Sequence, residues 1–322
     1  MLKKTPIIFD CDPGHDDAIA LILALSTECL DIKAITTVAG NSSIENTTSN
    51  ALKILEKAGR NDIPVAKGAS KPILAPFSAG VKVHGASGMD GPVLPEPETR
   101  PCSKTAVELM GEIIEQSLEP VTLIVTGPCT NIAIFMSSYP HLIKKIERIS
   151  MMGGGFQMGN RSSVGEFNIW QDPEAAQIVM KSGVPVEIYP LDVTHKALIL
   201  KEEFDLFRNA ENEISEFVAQ LLDFFSVYYT GIARFGGCPM HDACAVAGII
   251  NPRMFTYKRC YAQVDIDGHY SRGGMDIDIR GDARRKKSCN GKVALDIDRK
   301  IFLTTLLKSC EILAAQKRKK KI

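Results

Sequence analysis

Short apolar runs alternate with longer segments of helical period along the first 190 residues of the chain. The apolar runs are typical of buried strands and are predicted over 6–10, 30–38, 64–67, 121–126, 149–152 and 185–189. The segments between them have helical periodicity and are predicted as helices over 16–26, 44–58, 105–116, 131–137 and 173–181. Such alternation predicts βαβ units, and therefore an α/β fold with an open, mostly parallel, Rossmann-like sheet flanked by helices.

The second half of the chain has a more helical pattern. Helices are predicted over 214–235, 241–250 and 299–316, the last of them ending in a basic tail. Strands are predicted over 260–267 and 293–297. Because no internal repeat and no linker separates the two halves, we predict one domain spanning residues 1–322.

The composition narrows the classes of protein that the chain can represent. Basic and acidic residues number 38 each, and this neutral balance argues against a nucleic-acid partner. No run approaches the ~20 apolar residues of a membrane span, and the N-terminal segment lacks the features of a signal peptide. Nine cysteines occur without any C-x-x-C pair, so free thiols and a cytoplasmic location are expected.

Four carboxylates cluster where the first predicted strand becomes a helix. They are Asp10, Asp12, Asp16 and Asp17 in the segment DCDPGHDD. Like charges this close repel unless a cation, a proton or hydrogen-bond donors compensate them. Helix capping explains one or two of the acids but not all four. Because oxygen ligands of this kind suit Ca²⁺ or Mg²⁺, we interpret the cluster as a metal site.

Two other metal-dependent interpretations fit less well. An EF-hand loop that starts at Asp10 requires Gly and Glu at positions occupied by His15 and Leu21. A phosphotransferase with an aspartate nucleophile would need a cation in a later loop, and the loops that begin at Thr126 and Gly153 carry no nearby lysine. The phosphotransferase remains a distant alternative.

Polar side chains follow several of the other predicted strands. The long connections 69–101 and 153–171 are rich in glycine, proline and small polar residues, and long loops of this kind are often functional. Asparagine and glutamate side chains without lysine or arginine favour a polyhydroxyl ligand over a phosphate. Late in the chain, His241 and Asp242 begin a helix, which makes them a candidate acid and a candidate metal ligand.

These motifs resemble the inosine-uridine preferring nucleoside hydrolase family, and they occur in the family's order over about three quarters of the chain. The matching segments are DCDPGHDDAIA (10–20), VAGN (38–41), HGASGMDGP (84–92), TGPCTNIA (126–133), MGGGF (152–156), GN (159–160), EFNIWQDPEAA (166–176) and MHDA (240–243). The resemblance implies an open parallel α/β sheet, usually in a homodimer or homotetramer. It also implies cleavage of the N-glycosidic bond of a ribonucleoside to give free base and ribose.

The resemblance also implies roles for individual residues. One Ca²⁺ would be held by Asp12, Asp17, the main-chain carbonyl of Thr126 and Asp242, with Asp12 also acting as general base for a metal-bound water. His241 would assist the departure of the base, and His84 would lie near it. The ribose would be bound by Asp16, Asn41, Asn160, Glu166 and Asn168.

The base preference is the least determined property. One branch of the family that the sequence resembles binds purines between tryptophans. The one tryptophan of this chain, Trp170, lies within the ribose segment and fits packing, so the resemblance disfavours a purine-only enzyme. Candidates for bordering the base, each of which fits ordinary helix packing equally well, are Tyr228, Tyr229, Arg234 and Phe235. A pyrimidine-preferring or mixed hydrolase is expected, and the alternative is a non-catalytic nucleoside- or sugar-binding protein on the same scaffold.

Overall fold

A nine-stranded sheet forms the centre of the protein. The structure is a computed structural model that describes residues 4–280 and 287–320. The strands are β1 Thr5–Cys11, β2 Leu30–Thr37, β3 Val65–Lys67, β4 Val121–Val125, β5 Ile146–Met152, β6 Val186–Tyr189, β7 Leu198–Leu200, β8 Gly237–Pro239, β9 Phe255–Val264, β10 Met275–Asp278 and β11 Gly291–Ile297. Strands β7 and β8 form a separate antiparallel pair.

The order of strands in the large sheet is β10-β9-β11-β6-β5-β4-β1-β2-β3. The run from β11 to β3 is parallel, whereas β9 and β10 are joined to it by antiparallel pairing. The predicted open, mostly parallel α/β fold is therefore confirmed. Parallel strands direct their carboxyl ends to one edge of the sheet, so the segments that follow β1, β2, β4 and β5 meet there.

Helices cover both faces of the sheet. They are α1 His15–Ser26, α2 Ile44–Ala58, α3 Val81–His84, α4 Ala106–Gln116, α5 Thr130–Ser138, α6 Phe167–Gln171, α7 Pro173–Met180, α8 Leu191–Thr194, α9 Phe204–Arg208, α10 Glu213–Ser226, α11 His241–Ile250 and α12 Arg299–Lys320. Their ends follow local chemistry: Ser43 caps α2 by accepting from Asn46 N, and Gly59 ends it at φ +68°.

Two hydrophobic cores lie on opposite faces of the sheet. One contains α1, α2, α10, α11 and α12, and the other contains α4, α5 and α7. Every residue of α1 is buried, which explains why its sequence is almost continuously apolar after the acidic first turn. The carboxylates at its start are therefore largely removed from bulk solvent.

The long helix predicted over 214–235 ends early. Helix α10 ends at Ser226, and the chain then forms a π-helix over Val227–Ile232. The Thr230 hydroxyl donates to the carbonyl of Ser226 at 2.6 Å, and such bonding competes with regular helical pairing. The periodicity of the sequence did not reveal this change.

The strand predicted over 260–267 is shifted in the structure to Phe255–Val264. Asp265 ends it, because its carboxylate accepts from the amides of Asp267 and Gly268 and so forms a turn.

At the C-terminal end of the chain, helix α12 extends past the predicted boundary, and Lys317 pairs with Glu213 at 3.0 Å. Part of the basic tail, residues 321–322, lies outside the described residues. None of the described helices is both long and apolar enough to cross a bilayer.

Candidate active site

A cavity of about 650 Å³ opens at the carboxyl edge of the sheet. Its walls come from the connection that contains α3, from the loop after β5, and from the region between α10 and α11. Three of the four base candidates line it, namely Tyr228, Tyr229 and Phe235. Nine of the eleven residues to which the resemblance gives roles also line it, namely Asp16, Asn41, His84, Thr126, Asn160, Glu166, Asn168, His241 and Asp242. The other two, Asp12 and Asp17, are fully buried and contact residues of this lining.

Two helix N-termini bring carboxylates together at the floor of the cavity. Asp16 and Asp17 lie in the first turn of α1, and Asp242 lies in the first turn of α11. One carboxylate oxygen of each lies within 4.8 Å of the others. Helix N-termini favour negative charge, which partly offsets the repulsion. Asp16, predicted to bind ribose, thus lies within the same cluster as two predicted metal ligands.

Asn41 connects Asp12 to this cluster. Its main-chain amide donates to Asp12 Oδ2 at 2.6 Å, and its side-chain Nδ2 donates to Asp17 Oδ2 at 3.1 Å. Asp12 Oδ1 is buried and has no hydrogen-bond partner among the described residues. A buried carboxylate oxygen without a donor is costly, so the atom requires a ligand or a proton.

Burial raises the pKa of every carboxyl group in this cluster. The pKa of Asp16 rises to about 8, first through burial and then through the charge of Asp17. The pKa values of Asp12 and Asp242 are raised well above the ordinary value for the same reasons. A hard dication would compensate this charge and supply the orphaned oxygen with a partner, so the residues present fit Ca²⁺.

Asp10 does not join the cluster, although the sequence grouped it with the other acids. Its Oδ1 accepts from the Thr36 hydroxyl at 2.5 Å and from Asn131 Nδ2 at 2.8 Å. In a continuous strand, side chains two residues apart point to the same face, so Asp10 and Asp12 would lie together. The strand ends at Cys11, however, and the change of chain direction after it separates the two carboxylates.

Three asparagines each leave one polar atom available to a ligand. Asn41 donates through Nδ2 to Asp12 O and Asp17 Oδ2, and Asn168 donates through Nδ2 to the Thr126 carbonyl at 2.7 Å. Both therefore retain Oδ1 as an acceptor. Asn160 accepts through Oδ1 from Phe167 N at 2.8 Å, and its Nδ2 remains a donor. This combination matches a ligand with several hydroxyl groups, each of which both donates and accepts.

Glu166 caps α6 beside these asparagines. Its carboxylate accepts from the amides of Gly154, Asn168 and Ile169 at 2.9–3.2 Å. Burial raises its pKa to about 7 despite these three donors. The side chain is therefore held in one orientation by main-chain groups at the cavity wall.

His241 is bound at both ring nitrogens. Its Nδ1 lies 2.7 Å from the Thr194 hydroxyl, and its Nε2 lies 2.9 Å from the Tyr229 hydroxyl. Burial lowers the pKa of the imidazole well below its ordinary value, so the ring is neutral near pH 7. The pair Tyr229–His241 thus presents a hydroxyl–imidazole hydrogen bond to the cavity.

Several lining residues were missed by the sequence analysis. His195, which no sequence motif singled out, lines the cavity and packs edge-on against His241 with ring centroids 5.5 Å apart. Arg161 and Lys82 also line it, although the strand-end loops had been described as lacking cations. Arg161 lies over Trp170 and donates to Ser78 across the two long loops at 2.6 Å. The sequence feature that could have identified Arg161 is its position directly after Asn160, a predicted ribose-binding residue.

Comparison with known proteins identifies the class. Residues 7–304 match the model of the inosine-uridine preferring nucleoside hydrolases, and the chain belongs to this family. The family is metal-dependent in general. The chain is therefore a ribonucleoside hydrolase, an enzyme that cleaves an N-glycosidic bond, and the alternative of a non-catalytic binding protein is not retained.

Curated relatives and solved structures agree with this assignment. The chain is 47% identical over 302 residues to a protein of Citrobacter koseri named pyrimidine-specific ribonucleoside hydrolase RihA, covering 94% of this chain and 96% of the relative. A protein of the same name from Shewanella woodyi is 46% identical over 307 residues, covering 95% and 98%. The purine-preferring ribonucleoside hydrolase of Gardnerella vaginalis is a structural neighbour, with a TM-score of 0.89 at 30% identity over 96% of this chain and 99% of that one.

Proposed function

We propose that the protein is a Ca²⁺-dependent hydrolase of pyrimidine ribonucleosides, with uridine and cytidine as its main substrates and inosine as a secondary one. The observation that carries this proposal is the meeting, in one cavity, of a carboxylate cluster and a tyrosine–histidine pair. The carboxylate cluster is suited to binding a cation beside a ribose, and the tyrosine–histidine pair is suited to assisting a leaving base. The relatives named pyrimidine-specific support the choice of base.

Ca²⁺ would be held by Asp12, Asp17, Asp242 and the main-chain carbonyl of Thr126. The unpartnered Oδ1 of Asp12 supports this ligand set, as does the convergence of Asp17 and Asp242. When bound, such an ion lowers the pKa of water and fixes its position. Asp12 would then take the proton from the attacking water as general base.

The ribose would be oriented by the side-chain atoms that the protein leaves available. Hydroxyl groups of the sugar would donate to Oδ1 of Asn41 and Asn168 and accept from Nδ2 of Asn160. Asp16 and Glu166 would place carboxylate oxygens near the ring. Because cleavage develops positive charge at C1′, negative groups held around the sugar stabilise the transition state more than the ground state.

Departure of the base would be assisted by His241 and Tyr229, with His84 also beside the base. As the C1′–N bond breaks, electron density moves onto the pyrimidine, whose leaving ability is poor without a hydrogen-bond donor. A hydroxyl coupled to an imidazole at 2.9 Å supplies such a donor, and both side chains are largely buried.

A release assay tests the proposal. Uridine, cytidine, inosine and adenosine are incubated with the enzyme, with and without EDTA, and free ribose is measured. Ribose release from the two pyrimidine nucleosides, abolished by EDTA and restored by added Ca²⁺, is expected. Faster release from inosine or adenosine would refute the pyrimidine preference, whereas full activity in EDTA would refute the role of the metal. Asp12→Ala is expected to abolish turnover of all substrates.

Three further properties are proposed with this function. Strands from both halves of the chain share one sheet, which supports a single domain over residues 1–322. The nine cysteines are all free thiols, which supports a reducing, cytoplasmic location. The resemblance to the family supports a homodimer or homotetramer, for which sedimentation of the purified enzyme is the direct measurement.

A further inference from the structure

The imidazole of His241 lies between two hydroxyl groups. Its Nδ1 is 2.7 Å from the hydroxyl oxygen of Thr194, and its Nε2 is 2.9 Å from the hydroxyl oxygen of Tyr229. Tyr229 and His241 line the cavity, whereas Thr194 is fully buried and is not part of the lining. The position of the hydrogen on the ring decides which of the two hydroxyl groups donates and which accepts.

Thr194 and His241 are held relative to each other by the main chain. Thr194 ends α8, and His241 begins α11. The segment that follows α8 and the segment that precedes α11 pair as β7 and β8, and Met240 N donates to the Ala197 carbonyl at 3.0 Å. The contact between the threonine and the imidazole is therefore a fixed feature of the fold.

The hydroxyl hydrogen of Thr194 has one acceptor. In the part of the chain that the structure describes, the only hydrogen-bond partner of this hydroxyl is Nδ1 of His241. A buried hydroxyl whose hydrogen finds no acceptor costs free energy. If Nδ1 carried a hydrogen, Thr194 could only accept from it, and the hydroxyl hydrogen would be left unpaired. Thr194 therefore donates to Nδ1, and Nδ1 carries no hydrogen.

This assignment fixes the tautomer of the ring. The doubly protonated imidazole is excluded with the Nδ1–H form, because it also carries a hydrogen on Nδ1. The one N–H of His241 is therefore on Nε2, and it donates to the Tyr229 oxygen. The hydrogen of the Tyr229 hydroxyl is then not used by the protein. In the opposite tautomer, Tyr229 would donate to Nε2 and would have no hydrogen left for a ligand.

We infer that Thr194 is a positioning residue that holds His241 as the Nε2–H tautomer and thereby leaves the Tyr229 hydroxyl hydrogen for the departing base. Thr194 is outside the cavity lining, so it acts only through the other two side chains. As the C1′–N bond breaks, Tyr229 donates a hydrogen bond to the base, and Nε2–H of His241 stabilises the negative charge that develops on the phenol oxygen. The inference rests on the proposed role of these two side chains at the leaving base.

The ¹⁵N resonances of His241 test the tautomer directly. In the wild-type enzyme with Ca²⁺ present, Nδ1 should have the resonance of a ring nitrogen without a hydrogen, and Nε2 that of one with a hydrogen. Thr194→Val removes the hydroxyl and nearly keeps the shape of the side chain. The two resonances should then move towards each other, because both tautomers become populated. A hydrogen on Nδ1 of the wild-type ring would overturn the inference.

A double-mutant cycle tests the effect on the reaction. The kcat for uridine is measured for the wild type, Thr194→Val, Tyr229→Phe and the double variant, each checked for folding by circular dichroism. We expect Thr194→Val to lower kcat about three- to tenfold, the ordinary effect of losing one hydrogen bond. In the Tyr229→Phe background, which has no phenol hydrogen to direct, it should lower kcat less than about twofold. An equal loss in both backgrounds would show a purely structural role and overturn the inference.

Further variants make the test specific. Thr194→Ser keeps the hydroxyl and should retain kcat within about twofold of the wild type, since the bond to Nδ1 is preserved. Thr122→Val is the matched control, because the Thr122 hydroxyl is equally buried but has no hydrogen-bond partner among the described residues. It should leave both kcat and the His241 resonances unchanged. A loss in Thr194→Ser as large as that in Thr194→Val would count against the hydroxyl and overturn the inference.

The outcomes separate the inference from the proposed function. An unchanged kcat in Tyr229→Phe would contradict the proposed role of Tyr229 at the base, whereas the tautomer of His241 is read from the wild-type resonances alone. If Thr194→Val does not fold, Thr194→Ala takes its place in the cycle. Wild-type kcat together with unmoved His241 resonances in that variant would overturn the inference.

Discussion

The hydroxyl oxygen of Tyr229 lies 2.9 Å from Nε2 of His241, and both side chains line the cavity. The other ring nitrogen of His241 is engaged by Thr194 at 2.7 Å, so the imidazole cannot rotate freely. A neutral histidine held in this way can act on the leaving base together with the tyrosine. The first prediction follows from this contact.

Tyr229→Phe should lower kcat for uridine about tenfold or more, within the ordinary range for loss of acid–base assistance. The matched control is Tyr228→Phe, because Tyr228 also lines the cavity but makes no hydrogen bond to His241 in the described structure. The defect should disappear with p-nitrophenyl riboside, whose leaving group needs no proton. An equal defect with both substrates would contradict the role in leaving-group assistance.

Asp242→Asn should weaken Ca²⁺ binding at least about tenfold, because charge and ligand number set affinity at oxygen sites. Titration calorimetry with Ca²⁺ alone measures this directly. Asp10→Asn is the matched control: Asp10 is equally buried but bonds to Thr36 and Asn131, away from the cluster. A comparable loss in both variants would show that the site includes Asp10 and that the assignment is wrong.

Gly40→Ala should reduce both Ca²⁺ binding and kcat/KM more than about tenfold. A Cβ atom at this position would lie 2.0 Å from Asp12 Oδ2, so the carboxylate would have to move. Overpacking of this kind also costs about 1–3 kcal/mol of stability. Gly236→Ala is the control, because, apart from its two chain neighbours, none of the described residues places an atom within 4 Å of a Cβ there. Wild-type Ca²⁺ affinity in Gly40→Ala would refute the tight placement of Asp12.

Ionisation of the buried Glu166 side chain should lower the free energy of unfolding of the protein as the pH rises. Its pKa in the folded state, about 7, lies above the ordinary value of 4.5, so the folded state binds the proton more tightly than the unfolded chain. The stabilisation that comes from this tighter proton binding is fully present below pH 4.5 and is lost as the pH rises through about 7. The loss amounts to at most about 3 kcal/mol.

Urea unfolding in EDTA across this pH range measures the effect, since EDTA removes the linkage to metal binding. Glu166→Gln lacks the titrating group and should show a flatter pH dependence than the wild type. Parallel curves for the two proteins would mean that Glu166 ionises at an ordinary pKa. A difference in overall stability between the two proteins does not interfere, because only the slopes of stability against pH are compared.

The sequence by itself determined the order of the elements, the parallel sheet and the identity of about half of the residues that line the cavity. Apolar runs and helical segments reflect burial that is local to each element, so their periodicity can be read from neighbouring positions. The motifs at strand ends identified Asp16 and Asn41 as site residues, because parallel strands direct such segments to one edge.

Only the tertiary structure decided which of these side chains meet. Asp10 and Asp12 look alike in the sequence, yet one bonds to Thr36 and the other contacts Asn41. His15 and His84 are 69 positions apart, so no local pattern could join them. Contacts of this kind depend on the packing of several elements at once, which neighbouring positions in the sequence do not record.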